Sequence, residues 1–380
     1  MASEIELLRA GEQFGLPLYV YDAAKIASQI ARLQAAFAGV PLRLKYAMKA
    51  LSASGVLDLM RRQGVEIDAV SIEEVKLALE VGFAPQQILF TTSCVPFREI
   101  EEAIGLGVLV NLDSLPAVKK FGEKFGAKAK GVTTPTPLCV RINPGVKAGG
   151  HEKIQTGHRE SKFGVSVEQL SELTQLVSHY GILVRGLHVH TGSDISQTEA
   201  FIESQAALFE MALKFPDLQF VDFGGGFKVP YRPEEKGVDL SVLGPRSTEA
   251  FKSFCSRYGR ELEMWFEPGK FLVSEAGTLL VEVTVVKETP ALTFVGVNSG
   301  LNHLIRPMMY DAYHHIVNIS NPNGVKKRYN VVGYICETDT LGVDLEIAEV
   351  REGDTLAILN AGAYGYTLSS NYNSKPRPAE

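Results

Sequence analysis

The apolar run LRLKYAMK ends on a lysine, Lys49, and small and polar residues follow before a helix-like segment begins. An ammonium group there is either solvated or held in an apolar mouth. In the second setting its pKa falls, and the free amine can condense with an aldehyde. Other strand-like runs also end on reactive or adaptable residues. LHVHTGS carries His188 and His190, whose spacing sends both side chains off one face of a strand, with Gly192 and Ser193 behind them. VDFGGGF carries Gly224, Gly225 and Gly226. Such a run makes a tight turn, or lets backbone N–H groups approach an anion closely. WFEPGK carries Glu267, Gly269 and Lys270. EPG is an ordinary turn sequence, but a buried glutamate beside a pyridine ring would keep the ring nitrogen protonated and make the ring a better electron sink.

The elements that must position these residues form a rhythm. LRLKYAMK, VEIDAVS, ILFTT, GVLVNLDS, PLCVRIN, VRGLHVHTG, LQFVDFGGG and EMWFEPGK read as strands, with helix-like segments between most of them. In SVEQLSELTQLVSHYG, Leu170, Leu173 and Val177 fall at helical spacing, and Gly181 follows as a C′ residue. IEEVKLALEVGF and STEAFKSFCSRYGRE behave alike. Strands alternating with helices over this length predict an α/β fold, a (β/α)8 TIM-like barrel; a doubly wound open sheet is the alternative. In a barrel, the strand C-termini and the loops after them carry the chemistry. Lys49, His190, the glycines and Glu267 all fall there.

After residue 272 the texture changes. TLLVEVTVVKE, TFVGVNS, HHIVNIS, KRYNVVGYIC and TLAILNAG are β-branched and closely spaced, which predicts a C-terminal antiparallel β domain. LPLYVYD near the N-terminus would add a strand to it. The expected division is a barrel over 22–272 and a β domain from 1–21 and 273–380. The connection Ile142 to Gly164 is long enough to serve as a lid or a brace.

Composition excludes several classes. The 380 residues are 45% hydrophobic and 22% charged, with a net charge of −6 and a pI near 5.9. No basic stripe suggests nucleic acid. Cys94, Cys139, Cys255 and Cys336 are scattered and form no CxxC pair. MASEIELLRAGEQFG does not read as a signal peptide, and no run approaches a membrane span. A cytoplasmic protein is expected. His-x-His on a barrel strand also suits a metal-dependent hydrolase. The sequence offers no clear carboxylate and histidine set to complete such a site, so no metal is expected and His190 reads better as a stacking ring. An amine, a glycine cradle, a carboxylate and a flat imidazole together fit one cofactor, pyridoxal 5′-phosphate.

These same blocks carry a resemblance. Over nearly its whole length the chain resembles the barrel-type (fold type III) pyridoxal-phosphate decarboxylases, and among them most the diaminopimelate decarboxylase group. YAMKA is similar to the block holding the imine lysine, which falls on Lys49. HVHTGSD resembles the block whose second histidine, here His190, stacks on the cofactor, with Ser193 behind it. DFGGGF resembles the phosphate-binding glycines, and FEPGK the block whose glutamate, here Glu267, pairs with the pyridine nitrogen. YICETD resembles the block supplying a cysteine and a glutamate, Cys336 and Glu337. IRPMMY matches a substrate-binding element, Arg306 and Tyr310. AGAYGYTLSSNYNSKPRPAE is close to a closing signature whose tyrosine, Tyr364, reaches the phosphate region. The chain departs from the common pattern at Lys270, where arginine is usual, at Asp194, where glutamine is common, and at VSIEE, which places Ser71 and Glu74 where S-G-G-E is common.

The resemblance implies decarboxylation of meso-2,6-diaminopimelate to L-lysine and carbon dioxide, the last step of lysine biosynthesis. It implies catalytic roles for Lys49, His190 and Cys336, the last as proton donor, although a cysteine ending KRYNVVGYIC also reads as a small core residue. Gly224, Gly225, Gly226, Gly269, Ser193 and Tyr364 would hold the cofactor with Glu267. Arg306, Glu337, Tyr310, Lys270 and Tyr364 would hold the substrate's far end. It further implies a homodimer with active sites shared between subunits. Other readings are a carboxynorspermidine, ornithine or arginine decarboxylase, a racemase of the same fold, a non-catalytic cofactor carrier and the metal-dependent hydrolase.

Overall fold

The computed structural model describes residues 3–145 and 157–380. The middle of the Ile142–Gly164 connection, with the expected lid or brace, lies outside the described residues. The chain divides into two compact units. One comprises Ile30–Lys228 and Gly237–Gly269, the other Met1–Gln29, Val229–Lys236 and Lys270–Glu380.

The first unit is a closed barrel. Among the described residues its eight parallel strands are Leu42–Ala47, Glu66–Ala69, Ile88–Thr91, Leu109–Leu112, Pro137–Asn143, Leu183–His188, Phe220–Asp222 and Glu263–Phe266. Each pairs with the next, and the eighth pairs with the first through Met264 and Leu42, which excludes an open sheet. All eight correspond to the runs read from the sequence. They read as nearly continuous apolar segments because a parallel barrel buries both faces of its strands. Helices cross between strands and have local stop signals. Ile72–Val81 is capped by Ser71, whose Oγ accepts the Glu74 N–H at 3.1 Å, and it ends on left-handed Gly82. Leu170–Tyr180 ends on left-handed Gly181. The STEAFKSFCSRYGRE helix begins earlier than its periodicity suggests, at Leu240, where the Asp239 side chain caps it.

The second unit holds a sheet in the order Ile316–Asn318, Thr355–Ile358, Gly277–Glu288, Thr293–Val297, Lys326–Val332 and Thr340–Ala348. Leu18–Tyr21 adds to it antiparallel, with Leu18 opposite Leu280, as LPLYVYD suggested. The expected antiparallel pattern needs one correction: Thr293–Val297 and Lys326–Val332 run parallel. Tyr19, Leu279, Val281, Val297, Leu356 and Ile358 lie in its core. Two elements escaped the sequence reading. Glu4–Phe14 is a helix opened by a Ser3–Glu6 capping box. In Thr340–Ala348 the alternation breaks at Val343, which is exposed, and at Asp344, which takes φ 51°. Among the described residues, no helix is long and apolar enough to cross a membrane.

Candidate active site

In the barrel, strand ends converge on one face. Lys49 lies in the turn Met48–Ala50 that directly follows the first strand. Its Nζ is 3.4 Å from Asp68 Oδ2, and the side chain is 41% exposed. The ammonium is therefore neither wholly solvated nor in an apolar mouth; it faces a carboxylate. Asp68 is the last residue of the second strand that pairs with the first, opposite Ala47, and is fully buried. Burial and the Glu267 charge push its carboxyl up, and Lys49 pulls it back.

His188 and Glu267 form the centre of the site. His188 Nε2 is 3.0 Å from Glu267 Oε2, and both residues are buried. Burial alone would raise Glu267, but His188 and Lys49 outweigh it and hold the carboxyl down at about 2. His188, by sequence a core residue or a metal ligand, anchors the glutamate. Glu267 Oε1, Asp222 Oδ2, Asp68 Oδ1 and His188 Nδ1 are buried with no hydrogen-bond partner among the described residues. Burial and Glu267 push the Asp222 carboxyl well up. His188, Asp222 and Glu267 present atoms within 4.8 Å of one another. This brings to His188 the carboxylates that sequence alone did not supply, although His188 and Glu267 already bond each other and Asp222 holds Gly224.

The glycine run follows the seventh strand. Asp222 Oδ1 accepts the Gly224 N–H at 2.8 Å, and the Gly225 N–H donates to His190 Nδ1 at 3.2 Å. His190 therefore keeps a lone pair on Nδ1. Burial, then Arg141 and Lys49, drive its pKa well down, so the ring is neutral. Gly224 and Gly226 have φ of 65° and 102°. A Cβ on Gly225 would lie 2.5 Å from the Glu267 carbonyl oxygen, and one on Gly226 2.5 Å from that of Gly192. Gly269 packs against Ala47 and Ala50. Ser193 lies in the bend after the sixth strand.

The second unit holds the remaining candidates in two clusters. Arg306 opens the helix Arg306–Tyr310, which Tyr310 closes. The guanidinium is buried, and Nη1 is 3.0 Å from His314 Nε2. Its Cζ lies 4.6 Å from the Tyr231 ring centre, with Lys270 Nζ 5.3 Å from the same ring. No carboxylate pairs with Arg306 among the described residues. The other cluster corrects the sequence reading. The strand ends at Val332 rather than running to Cys336, and Cys336 is exposed, not a small core residue. Its thiol donates to Glu337 Oε2 at 3.4 Å, while the Tyr372 hydroxyl donates to Oε1 and lowers the Glu337 pKa. Tyr364 takes a left-handed φ of 54°. Asp68, Asp222, Tyr231, His314 and Tyr372 went unremarked in the sequence. Only Asp68 and Asp222 carried a signal, as acids within apolar strands.

The barrel residues suit pyridoxal phosphate. The buried, unsatisfied Glu267 Oε1 is a ready acceptor for a pyridinium N–H. A cradle that any Cβ would fill suits a phosphate, and the half-buried Lys49 amine suits an aldehyde.

Comparison with known proteins agrees. Residues 23–274 match the pyridoxal binding domain of pyridoxal-dependent decarboxylases. The chain is 37% identical to a diaminopimelate decarboxylase of Methanothermobacter thermautotrophicus, over 100% of this chain and 88% of that one. It is 34% identical to one of Pseudomonas aeruginosa, over 100% and 90%. The crystal structure of diaminopimelate decarboxylase from Helicobacter pylori complexed with L-lysine matches with a TM-score of 0.87 at 32% identity, covering 98% of this chain and 92% of that one.

Proposed function

The chain belongs to the pyridoxal-dependent decarboxylase family, and from that premise we propose that it converts meso-2,6-diaminopimelate to L-lysine and carbon dioxide. Pyridoxal phosphate, when bound, supplies an electron sink for the carbanion left as carbon dioxide departs. Lys49 would hold its aldehyde carbon, Glu267 its ring nitrogen and His190 one ring face. Gly224, Gly225, Gly226, Ser193, Gly269 and Tyr364 would hold its phosphate. Glu267, charged at any working pH, would keep that nitrogen protonated. The neutral His190 ring contributes a flat surface without a competing charge. Cys336 returns a proton to the α-carbon, and its exposed thiol is accessible for that task.

Arg306 carries the substrate assignment. A buried guanidinium without a carboxylate partner calls for an anion, and the distal carboxylate of diaminopimelate is one. Glu337 would take the distal ammonium, with Tyr310, Lys270 and Tyr364 assisting. A substrate with only an amine at its far end would have no use for Arg306. In our reading residues 22–272 form the cofactor domain, and 1–21 with 273–380 the β domain. The enzyme acts in the cytoplasm as a homodimer whose Cys336 and Glu337 enter the neighbouring subunit's site. Their exposure supports that arrangement.

The test uses purified protein with added pyridoxal phosphate and meso-diaminopimelate, quantifying carbon dioxide and L-lysine, with Lys49→Ala alongside. Equal yields of both products, abolished in the variant, are expected. Release only from another basic amino acid would keep the family and overturn the reading of Arg306.

A further inference from the structure

We propose that His314 is a positioning residue for Arg306, a neutral imidazole that fixes the guanidinium without cancelling its charge and so reserves that charge for the substrate's distal carboxylate. The inference rests on the reading of Arg306 given above and adds what makes that arginine selective.

The hydrogen bonds determine the tautomer. His314 Nδ1 is 2.9 Å from the Leu359 carbonyl oxygen, which can only accept. Nε2 is 3.0 Å from Arg306 Nη1, which can only donate. The ring must therefore carry its proton on Nδ1 and a lone pair on Nε2. A doubly protonated ring would turn an N–H toward the guanidinium and break this chain. The charged groups facing the ring are Arg306 and Lys270, and the Tyr231 ring stands nearly perpendicular to it at 5.6 Å between centres. Burial, then Arg306, hold the His314 pKa down at about 3, so the ring stays neutral throughout the working range.

The choice of partner matters because of burial. A buried arginine is commonly satisfied by a carboxylate, and such a pair would leave little attraction for a second anion. His314 supplies the acceptor and no charge. Tyr231 completes the support: its ring face lies against Arg306, and its hydroxyl meets Ser274 Oγ at 3.1 Å. Locally, Arg306 opens the short helix, Asp311 turns the chain at φ 51°, and His314 returns to the guanidinium.

The experiment compares holoenzymes carrying His314→Leu, His314→Gln, His314→Glu and Arg306→Ala. Steady-state kinetics with meso-diaminopimelate would be measured together with calorimetric binding of pimelate, the same diacid without its amines. Removing an acceptor from a charged donor costs about tenfold or more in affinity. His314→Leu should therefore raise KM and weaken pimelate by about that factor while leaving kcat nearly unchanged. His314→Gln, whose amide oxygen accepts and whose amide nitrogen donates, should restore both. His314→Glu should lose as much as Arg306→Ala, because its carboxylate takes the charge. If Arg306→Ala leaves KM and pimelate binding unchanged, the assignment of Arg306 falls and the proposal with it. If Arg306→Ala weakens both but His314→Leu matches wild type, only the proposal falls. Should His314→Leu not fold, the Gln and Glu variants decide: equal binding by the two would overturn it.

Discussion

Replacing Glu267 by glutamine keeps the side chain's shape and removes its charge. The folded barrel holds this carboxyl at about 2, against an ordinary value of 4.5. At about 1.4 kcal/mol per pH unit, that difference favours the charged form in the fold by about 3 kcal/mol. Glutamine resembles the protonated acid and forfeits that preference. The loss is partly offset, because burial and then the Glu267 charge push Asp68 and Asp222 up, and the second of these is relieved when the charge is gone. Apo Glu267→Gln should therefore be less stable than apo wild type at pH 7, by about 1–3 kcal/mol. The pKa is depressed in the fold, so the gap is full above about 4.5 and closes as pH falls toward about 2. The assay is urea unfolding followed by tryptophan fluorescence, because Trp265, the single tryptophan, lies in the eighth strand two residues before Glu267. Equal stability at pH 7, or a gap that widens on acidification, would refute the reasoning that His188 and its neighbours stabilise the charged form.

Further predictions concern the cradle and the second unit. Gly225→Ala sets a Cβ 2.5 Å from the Glu267 carbonyl oxygen, backbone against backbone, so pyridoxal phosphate should bind at least tenfold more weakly, measured by fluorescence quenching. Cys336→Ala should keep the cofactor's absorption and lose most turnover; because Cys336 is exposed, stability should stay within about 0.5 kcal/mol of wild type. Unfolding and refolding Lys49→Ala together with Cys336→Ala should recover about a quarter of wild-type activity if each site draws on two subunits. No recovery would rule out shared sites.

Much of the fold was legible because each barrel strand carries its own signal. A segment buried on both faces must be apolar throughout, and a helix on the outside must show its period and its caps. Lys49, Glu267 and the glycine run were legible for the same reason, as interruptions at strand ends. Thr340–Ala348 was not, because a strand with an exposed valine and a left-handed aspartate loses its alternation. Cys336 misled because the apolar residues before it continue past the true strand end at Val332.

The sequence by itself determined which residues end strands, what chemistry they carry and which family they resemble. Only the tertiary structure decided their partners. His188 and Glu267 are 79 positions apart and meet because the sixth, seventh and eighth strands pair side by side in the barrel. Asp68 reaches Lys49 across a parallel pair. Arg306 meets the ring of His314, whose tautomer depends in turn on a carbonyl 45 positions away. Local periodicity records what each segment must bury; the protonation and orientation of a buried group depend on neighbours that only folding brings within a few ångströms.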